Sequence, residues 1–190
     1  MNVYDFDGTI YDGDATVGFI CYTLQHHPLA MLRALPGQVS AVAAYAVGKS
    51  DKTRMKSRFF SFLRYLNDVE GDVKDYWNKN RHKIKAWYLA QQKEDDVIIS
   101  ASAEFLLSDI CGRLGIRHLI ATRMDPHTGE ISGANCKGKE KPGRFHEIFP
   151  EGEIDGFYSD HDSDRYMAAL AKRSYLVKKN DLSDWPYGKE

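Results

Sequence analysis

Apolar residues follow two different rhythms along this chain, and the change comes near residue 93. The opening stretch, Met1 to Thr9, stands apart from both. Val3, Tyr4 and Phe6 are β-formers and Gly8 breaks the run, which predicts a short buried strand ending in a tight loop. The rhythm then becomes helical. Ala15 to His26 carries Val17, Ile20, Cys21 and Leu24 at helical spacing, with Asp14 as N-cap and His27-Pro28 as the stop. Pro28 to Leu35 reads as a short helical piece broken by Pro36-Gly37, and Val39 to Val47 as a separate one closed by Gly48. Ser50 or Asp51 can cap the next helix, which runs to about Leu66 on the stripe Met55, Phe59, Phe62, Leu63 and Leu66. A fourth helix is expected from about Asp72 to Gln92.

Beyond that point short apolar runs alternate with helices. Asp96 to Ser100, Arg117 to Ala121, Asp155 to Ser159 and Ser174 to Lys178 read as strands. Glu104 to Leu114, Lys141 to Phe149 and Asp162 to Ala171 read as the helices between them. Thr122 to Gly133 reads as a hairpin flap turning at Thr128-Gly129. Such alternation argues an α/β fold with a parallel sheet covered on both faces. The expected division is a catalytic core of residues 1–13 and 93–190, with a helical insert of residues 14–92.

Ligands of such sheets bind beyond the carboxyl ends of the strands. Those ends are Asp5-Phe6-Asp7, Ser100-Ala101-Ser102, Thr122 and Ser159-Asp160. Acids and hydroxyls therefore collect at one edge. Strand-to-helix turns favour Asp and Ser as caps in any case, but here three strand ends share the pattern. Asp5 and Asp7 alternate onto one side of the strand, where two acids repel and need a cation or a shared proton.

Charge divides the chain in the same way. Residues 14–95 hold 13 Lys and Arg against 8 Asp and Glu, a balance of about +5, although the whole chain carries −1. Cys21, Cys111 and Cys136 are odd in number and form no CxxC, which suggests reduced thiols and a cytoplasmic protein. Cys136 lies in a polar loop that could expose it. The apolar stretch Val39 to Val47 is far short of the ~20 residues that span a bilayer.

At this point the residues resemble a known family. Asp5-Phe6-Asp7-Gly8-Thr9 resembles the first motif of the haloacid dehalogenase superfamily. Val97 to Ser100 resembles its second motif, Lys141 its lone third-motif lysine, and Asp160-His161-Asp162-Ser163-Asp164 its acidic fourth. The helical insert is similar to the cap of the phosphoserine-phosphatase-like branch (subfamily IB). Within that branch Asn135-Cys136-Lys137-Gly138-Lys139-Glu140-Lys141 resembles a group with an N-C-x-G-x-x-K third motif, some of whose members act on phosphorylated lipids.

The resemblance implies a Rossmann-like core, an all-helical (C1-type) cap and an Mg²⁺-dependent phosphomonoesterase. Asp5 would be the nucleophile that forms an aspartyl-phosphate, and Asp7 the acid and base, its side chain free to carry the proton. Mg²⁺ would sit on Asp5, the Asp7 carbonyl and Asp160, with Asp164 behind them. Gly8, Thr9, Ser100, Ala101 and Lys141 would surround the phosphate. Lys137 and Lys139 compete with Lys141 for that place. Ser102 is expected as a helix cap, and His161 and Asp162 as exposed turn residues, with contact of His161 to the metal or leaving group as the alternative.

In the insert, Asp14 is a candidate for holding a substrate amine as well as an N-cap. Arg54 and Arg58 are candidates for a substrate carboxylate or second phosphate, or belong to a solvated face. The substrate expected is a small phosphorylated metabolite resembling phosphoserine. A basic insert with an apolar helix also admits a lipid phosphate at a membrane surface, whereas burial of the Val39–Val47 helix inside the insert is the plainer expectation. A non-catalytic phosphate-binding protein is the alternative of another class. Asp7 and Asp160 disfavour dehalogenase chemistry, and no nucleic-acid-reading motif backs the basic charge. Nothing in the sequence reads out an oligomeric state.

Overall fold

The computed structural model describes residues 1–188. Six strands form one sheet in the order β3-β2-β1-β4-β5-β6. They are β1 (Asn2–Tyr4), β2 (Val97–Ala103), β3 (His118–Thr122), β4 (Ile154–Ser159), β5 (Ala171–Lys178) and β6 (Asp181–Asp184). The first five run parallel, and β6 pairs antiparallel with β5. Val3 and Tyr4 pair with Val97 and Ile98 on one side and with Phe157 and Tyr158 on the other. The opening strand is thus central. Chain order runs outward through β2 and β3 and then resumes on the other side of β1. The crevice between the carboxyl ends of β1 and β4 is therefore the topological switch point, where open α/β sheets bind ligands.

Residues alternate between two cores, as a sheet covered on both faces requires. Tyr4 and Ile98 pack with the helical insert and with α6 (Glu104–Arg113). Val3, Val97, Ile99 and Phe157 pack with α7 (Glu140–Ile148) and α8 (Arg165–Ala168).

The insert begins as expected. Asp14 caps α1 (Ala15–His26), its side chain accepting from Val17 N at 2.9 Å. Asp51 caps α3 (Lys52–Phe59) in the same way through Arg54 N at 2.8 Å. Three expectations fail. Pro28 to Ala46 is one helix, α2, with Pro36 inside it. Pro36 lies on the exposed side, so the carbonyl that loses its partner can be hydrated and the helix continues. That exposure also contradicts burial of the Val39–Val47 helix, since Val39, Val42 and Val47 are all exposed.

The expected fourth helix is instead α4 (Val69–Asn80), a 3-10 turn over Arg81–Lys83 and α5 (Ala86–Gln91). The break has a cause. Asp12 N donates to Lys83 O, and Lys85 N to Ile10 O, so residues 83–85 leave the helix to pair with the loop after β1.

α4 fastens the insert to the sheet layer. Trp77 is fully buried and its Nε1 donates to Leu106 O at 2.6 Å, while the Tyr11 and Tyr76 hydroxyls meet at 3.0 Å. On the opposite flank the expected hairpin forms, with Met124 bridging Ile131. Gly129 has φ +76 at its turn, and a Cβ there would fall 2.5 Å from Phe60 O of the insert. Cys136 is fully buried in the second core, and its N–H donates to Thr122 Oγ1 in the wall behind the site.

Candidate active site

Asp5 follows β1 directly, and its N–H still donates to Tyr158 O at 2.9 Å, so the ladder fixes where the side chain emerges. The chain then turns through Gly8, which has φ +72 and lies so close to Asp160 that a Cβ would overlap its carboxylate. Thr9 is fully buried and ties the two strand ends together. Its hydroxyl accepts from Asp160 N at 3.0 Å and donates to Asp5 Oδ2 at 3.4 Å.

Lys141 comes from α7 and is almost wholly buried. Its Nζ donates to Asp5 Oδ1 and to Asp164 Oδ2, both at 2.7 Å. Asp164 Oδ2 also accepts from Ser159 Oγ at 2.8 Å. Burial works to lower the Lys141 pKa, but the two carboxylates outweigh it and hold the ammonium charged. Burial pushes the Asp5 carboxyl up, against the pull of Lys141 and with the push of Asp164. A buried ion pair of this kind is weak as a stabiliser and costly to break. Its presence beside a cavity therefore points to chemistry.

Asp7 stands two residues on in the same cavity of about 520 Å³. Its side chain is not free, as the sequence reading had it. Oδ1 accepts from Ala15 N at 2.6 Å, and Oδ2 from Ser102 Oγ at 2.5 Å. Burial nevertheless raises its pKa to about 6, the two hydrogen bonds working the other way. A carboxyl near the operating pH, held at a fixed angle, suits proton transfer.

The family model of haloacid dehalogenase-like hydrolases matches residues 3–169. The chain belongs to this family. A relative, Protein CicA of Caulobacter vibrioides, is 25% identical over 196 residues, covering 92% of this chain and 84% of its own length. A solved protein of unknown function from Bordetella pertussis superposes with a TM-score of 0.68 at 18% identity, over 92% of this chain and 87% of its own. A phosphoserine phosphohydrolase-like protein from Francisella tularensis gives 0.58 at 14% identity, over 92% and 86%. At such identities the structural likeness is one of fold.

For a haloacid dehalogenase-like hydrolase the donor set fits Mg²⁺. Asp5 Oδ2 has only the long Thr9 contact, and the Asp160 carboxylate lines the same cavity, so two carboxylates are at hand. No group of three or more His, Cys, Asp or Glu side chains is placed to hold a metal ion by itself among the described residues. A part-hydrated Mg²⁺ needs only one or two carboxylates. The side chains of Asp7 and Asp164 are committed elsewhere, to Ala15 and Ser102 and to Lys141 and Ser159.

Of the three lysines in the third motif, Lys141 alone reaches Asp5. Lys137 lines the cavity and Lys139 sits over the Tyr166 ring. Ala101 lines the cavity, but Gly8, Thr9 and Ser100 lie behind it. β2 runs on to Ala103, past the expected end at Ser100. Ser100 is fully buried and its Oγ accepts from Ser102 N at 3.0 Å. Ser102 is no helix cap: α6 is capped by Ala103 without a side-chain bond, and the Ser102 hydroxyl serves Asp7. His161 and Asp162 are exposed turn residues as expected, and His161 Nδ1 accepts from Ser163 N at 3.0 Å.

The insert contributes a residue that the sequence reading missed. Lys56 of α3 reaches across to donate to Ala101 O at 2.6 Å and to Asn135 Oδ1 at 3.0 Å. Burial pushes its pKa down to about 8, against the pull of Asp7 and Asp14. Arg54 and Arg58, the expected candidates, lie instead on a different cleft. Their offset of two residues from Lys56 was the available signal, because i and i+2 face different ways on a helix. Asp14 caps α1 as expected, and it also lines the cavity that holds Asp5 and Asp7.

Proposed function

We propose that this chain is an Mg²⁺-dependent phosphomonoester hydrolase working through an aspartyl-phosphate on Asp5. The observation that carries the reading is Lys141, buried between Asp5 and Asp164, with Asp7 held in the same cavity. Phosphate-ester hydrolysis brings two anions together, so charge handling dominates the barrier. Asp5 Oδ2, the Asp7 carbonyl and Asp160 would hold the metal, which supplies positive charge against the phosphoryl oxygens when bound. Asp5 attacks phosphorus, the P–O bond to the leaving alcohol breaks, and Asp7 gives that oxygen its proton. Asp7 then takes a proton from the water that attacks the aspartyl-phosphate, which releases inorganic phosphate and restores Asp5. Lys141 neutralises phosphoryl charge, Ala101 faces the phosphate from β2, with Ser100 behind it, and Ser102 orients Asp7.

Residues 14–92 would form the cap and residues 1–13 and 93–190 the core. Lys56 crosses between them and is the cap group best placed for the substrate. Each charge-assisted contact is worth about 1.5–3 kcal/mol. Lys56→Met is therefore expected to lower kcat/KM by roughly 10- to 100-fold, mainly through KM if the contact is to the bound substrate. Steady-state kinetics on the preferred substrate checks this.

The substrate class we favour is a small phosphorylated metabolite resembling phosphoserine, with Asp14 facing an amine and Lys56 a carboxylate. One observation favours a second reading: Val17, Ile20, Met55, Phe59 and Phe60 give the cavity an apolar wall that would suit the alcohol part of a lipid phosphate. Three free thiols support a cytoplasmic setting, and among the described residues no helix is long and apolar enough to cross a membrane. The purified protein is expected to turn over p-nitrophenyl phosphate with Mg²⁺ and to stop when EDTA is added. Phosphate binding with no turnover under any metal would identify a non-catalytic binder instead.

A further inference from the structure

α2 is apolar on the side turned away from the protein as well as on the side turned in. Ala30, Ala34, Gln38 and Ala41 form its buried face. Opposite them Leu32, Leu35, Val39 and Val42 are exposed, with Leu32 at 63% and Val39 at 60%. Leu29 and Val47 extend the stripe at its two ends, at 69% and 67%. Arg33 is the only charged side chain in the helix. A helix that is apolar all round is normally covered on all sides. Single exposed leucines are ordinary, but a stripe running the length of a 19-residue helix is an interaction surface.

A basic cleft of about 750 Å³ runs beside this stripe, between α2 and α3. Ser40 and Ala44 of α2 line it, and their helical neighbours Pro36 and Val47 lie on the exposed side. Lys49, Arg54, Arg58 and Arg64 bring four cations to it. Arg64 is paired with Glu130 at 2.7 Å and Arg54 lies 3.5 Å from Asp51. Lys49 and Arg58 make no side-chain hydrogen bond or ion pair among the described residues. α3 thereby separates two sites: Lys52, Met55, Lys56 and Phe59 face the catalytic cavity, while Arg54 and Arg58 face the cleft.

We propose that the exposed face of α2 and the basic cleft beside it form a docking surface for an anionic lipid bilayer. The apolar stripe would enter the headgroup boundary, and Lys49 and Arg58 would meet lipid phosphates at its edge. Charge complementarity selects this occupant over a second copy of the chain. A two-fold contact would place the same patch on itself and bring the unpaired cations of each copy near those of the other. The proposal does not rest on the phosphatase reading. It is tested without turnover, so either can fail alone.

The test is co-sedimentation of the full chain with vesicles of equimolar phosphatidylcholine and phosphatidylglycerol, against vesicles of phosphatidylcholine alone. The expected result is binding to the anionic vesicles that weakens with salt and is much lower on neutral ones. Leu32→Asp/Val39→Asp is expected to reduce it by about tenfold or more, and Lys49→Glu by about fivefold or more. Circular dichroism of these variants should match that of the parent protein, because all three side chains are exposed. Leu32→Ser/Val39→Ser serves as the milder pair if the aspartates unfold α2. Absence of binding, equal binding to neutral vesicles, or undiminished binding by a folded double variant would overturn the proposal. So would a dimer in sedimentation velocity that the double variant dissolves, since the face would then be covered by a second copy.

Discussion

Asp5→Asn is expected to lower turnover by a factor on the order of 10⁴ or more, the scale on which loss of a nucleophile is felt. Asn keeps the shape and the Tyr158 backbone bond but offers a neutral amide where the attacking carboxylate stood. The loss should appear in kcat with an intact fold. The sign of the Asp5 pKa shift makes a separate prediction possible. Its pKa is raised in the fold to about 7 by burial, so the charged carboxylate costs stability as pH rises from the ordinary carboxylate range through that value. In EDTA the parent's Tm should accordingly fall more steeply with rising pH over that range than the Tm of the Asn variant, in which Asp164 still faces Lys141. Thermal melts beside steady-state rates check both. A variant that is inactive because it is unfolded would contradict the account.

Lys141→Met should fail on both counts. It removes the cation that faces Asp5 and Asp164, each 2.7 Å away and buried. Breaking a buried pair from one side typically costs about 3–5 kcal/mol, because the partner charge is left uncompensated. Here two carboxylates are left facing each other. Urea denaturation in EDTA should show that loss, along with loss of turnover. Adding Asp164→Asn to Lys141→Met should recover a substantial part of the stability and none of the activity. If the double variant is no more stable than the single one, the loss comes from packing and the electrostatic reading of Lys141 is wrong.

The parallel core was legible because its signals are local and strong. Val3-Tyr4, Val97 to Ile99 and Phe157-Tyr158 are apolar runs that only a doubly covered sheet can accommodate, and each ends in an acid or hydroxyl. β6 was not legible, because Asp181–Asp184 is exposed throughout and is held only by its pairing with β5. The breaks in the insert were misread for tertiary reasons. Pro36 does not stop α2 because it sits on the wet side, while residues 81–85 stop being helical because the loop after β1 claims their backbone.

Within the site, Asp5, Asp7, Lys141 and Asp160 were all named from their strand ends and motif places, and the structure brings them to one cavity. The place of Ser102 depends on β2 running past Ser100, which the apolar run Val97 to Ile99 does not signal. Once β2 runs to Ala103, the Ser-Ala-Ser spacing explains why one hydroxyl can hold the backbone while the next reaches Asp7. Lys56 carries no motif signal, and its place two residues from Arg54 and Arg58 sets it on another side of α3. A helix with a lysine on one side and arginines on another can serve two clefts, and only the three-dimensional arrangement shows which is which.

The central claim is covalent: phosphorus passes from the substrate to Asp5 and then to water. Acid quenching of the enzyme during turnover of a ³²P-labelled phosphomonoester, followed by peptide mapping, tests it most directly. The account predicts base-labile label on the peptide that carries Asp5, absent from Asp5→Asn and chased by unlabelled substrate. Rapid turnover with no labelled protein, or label on Asp5→Asn equal to that on the parent, would contradict it.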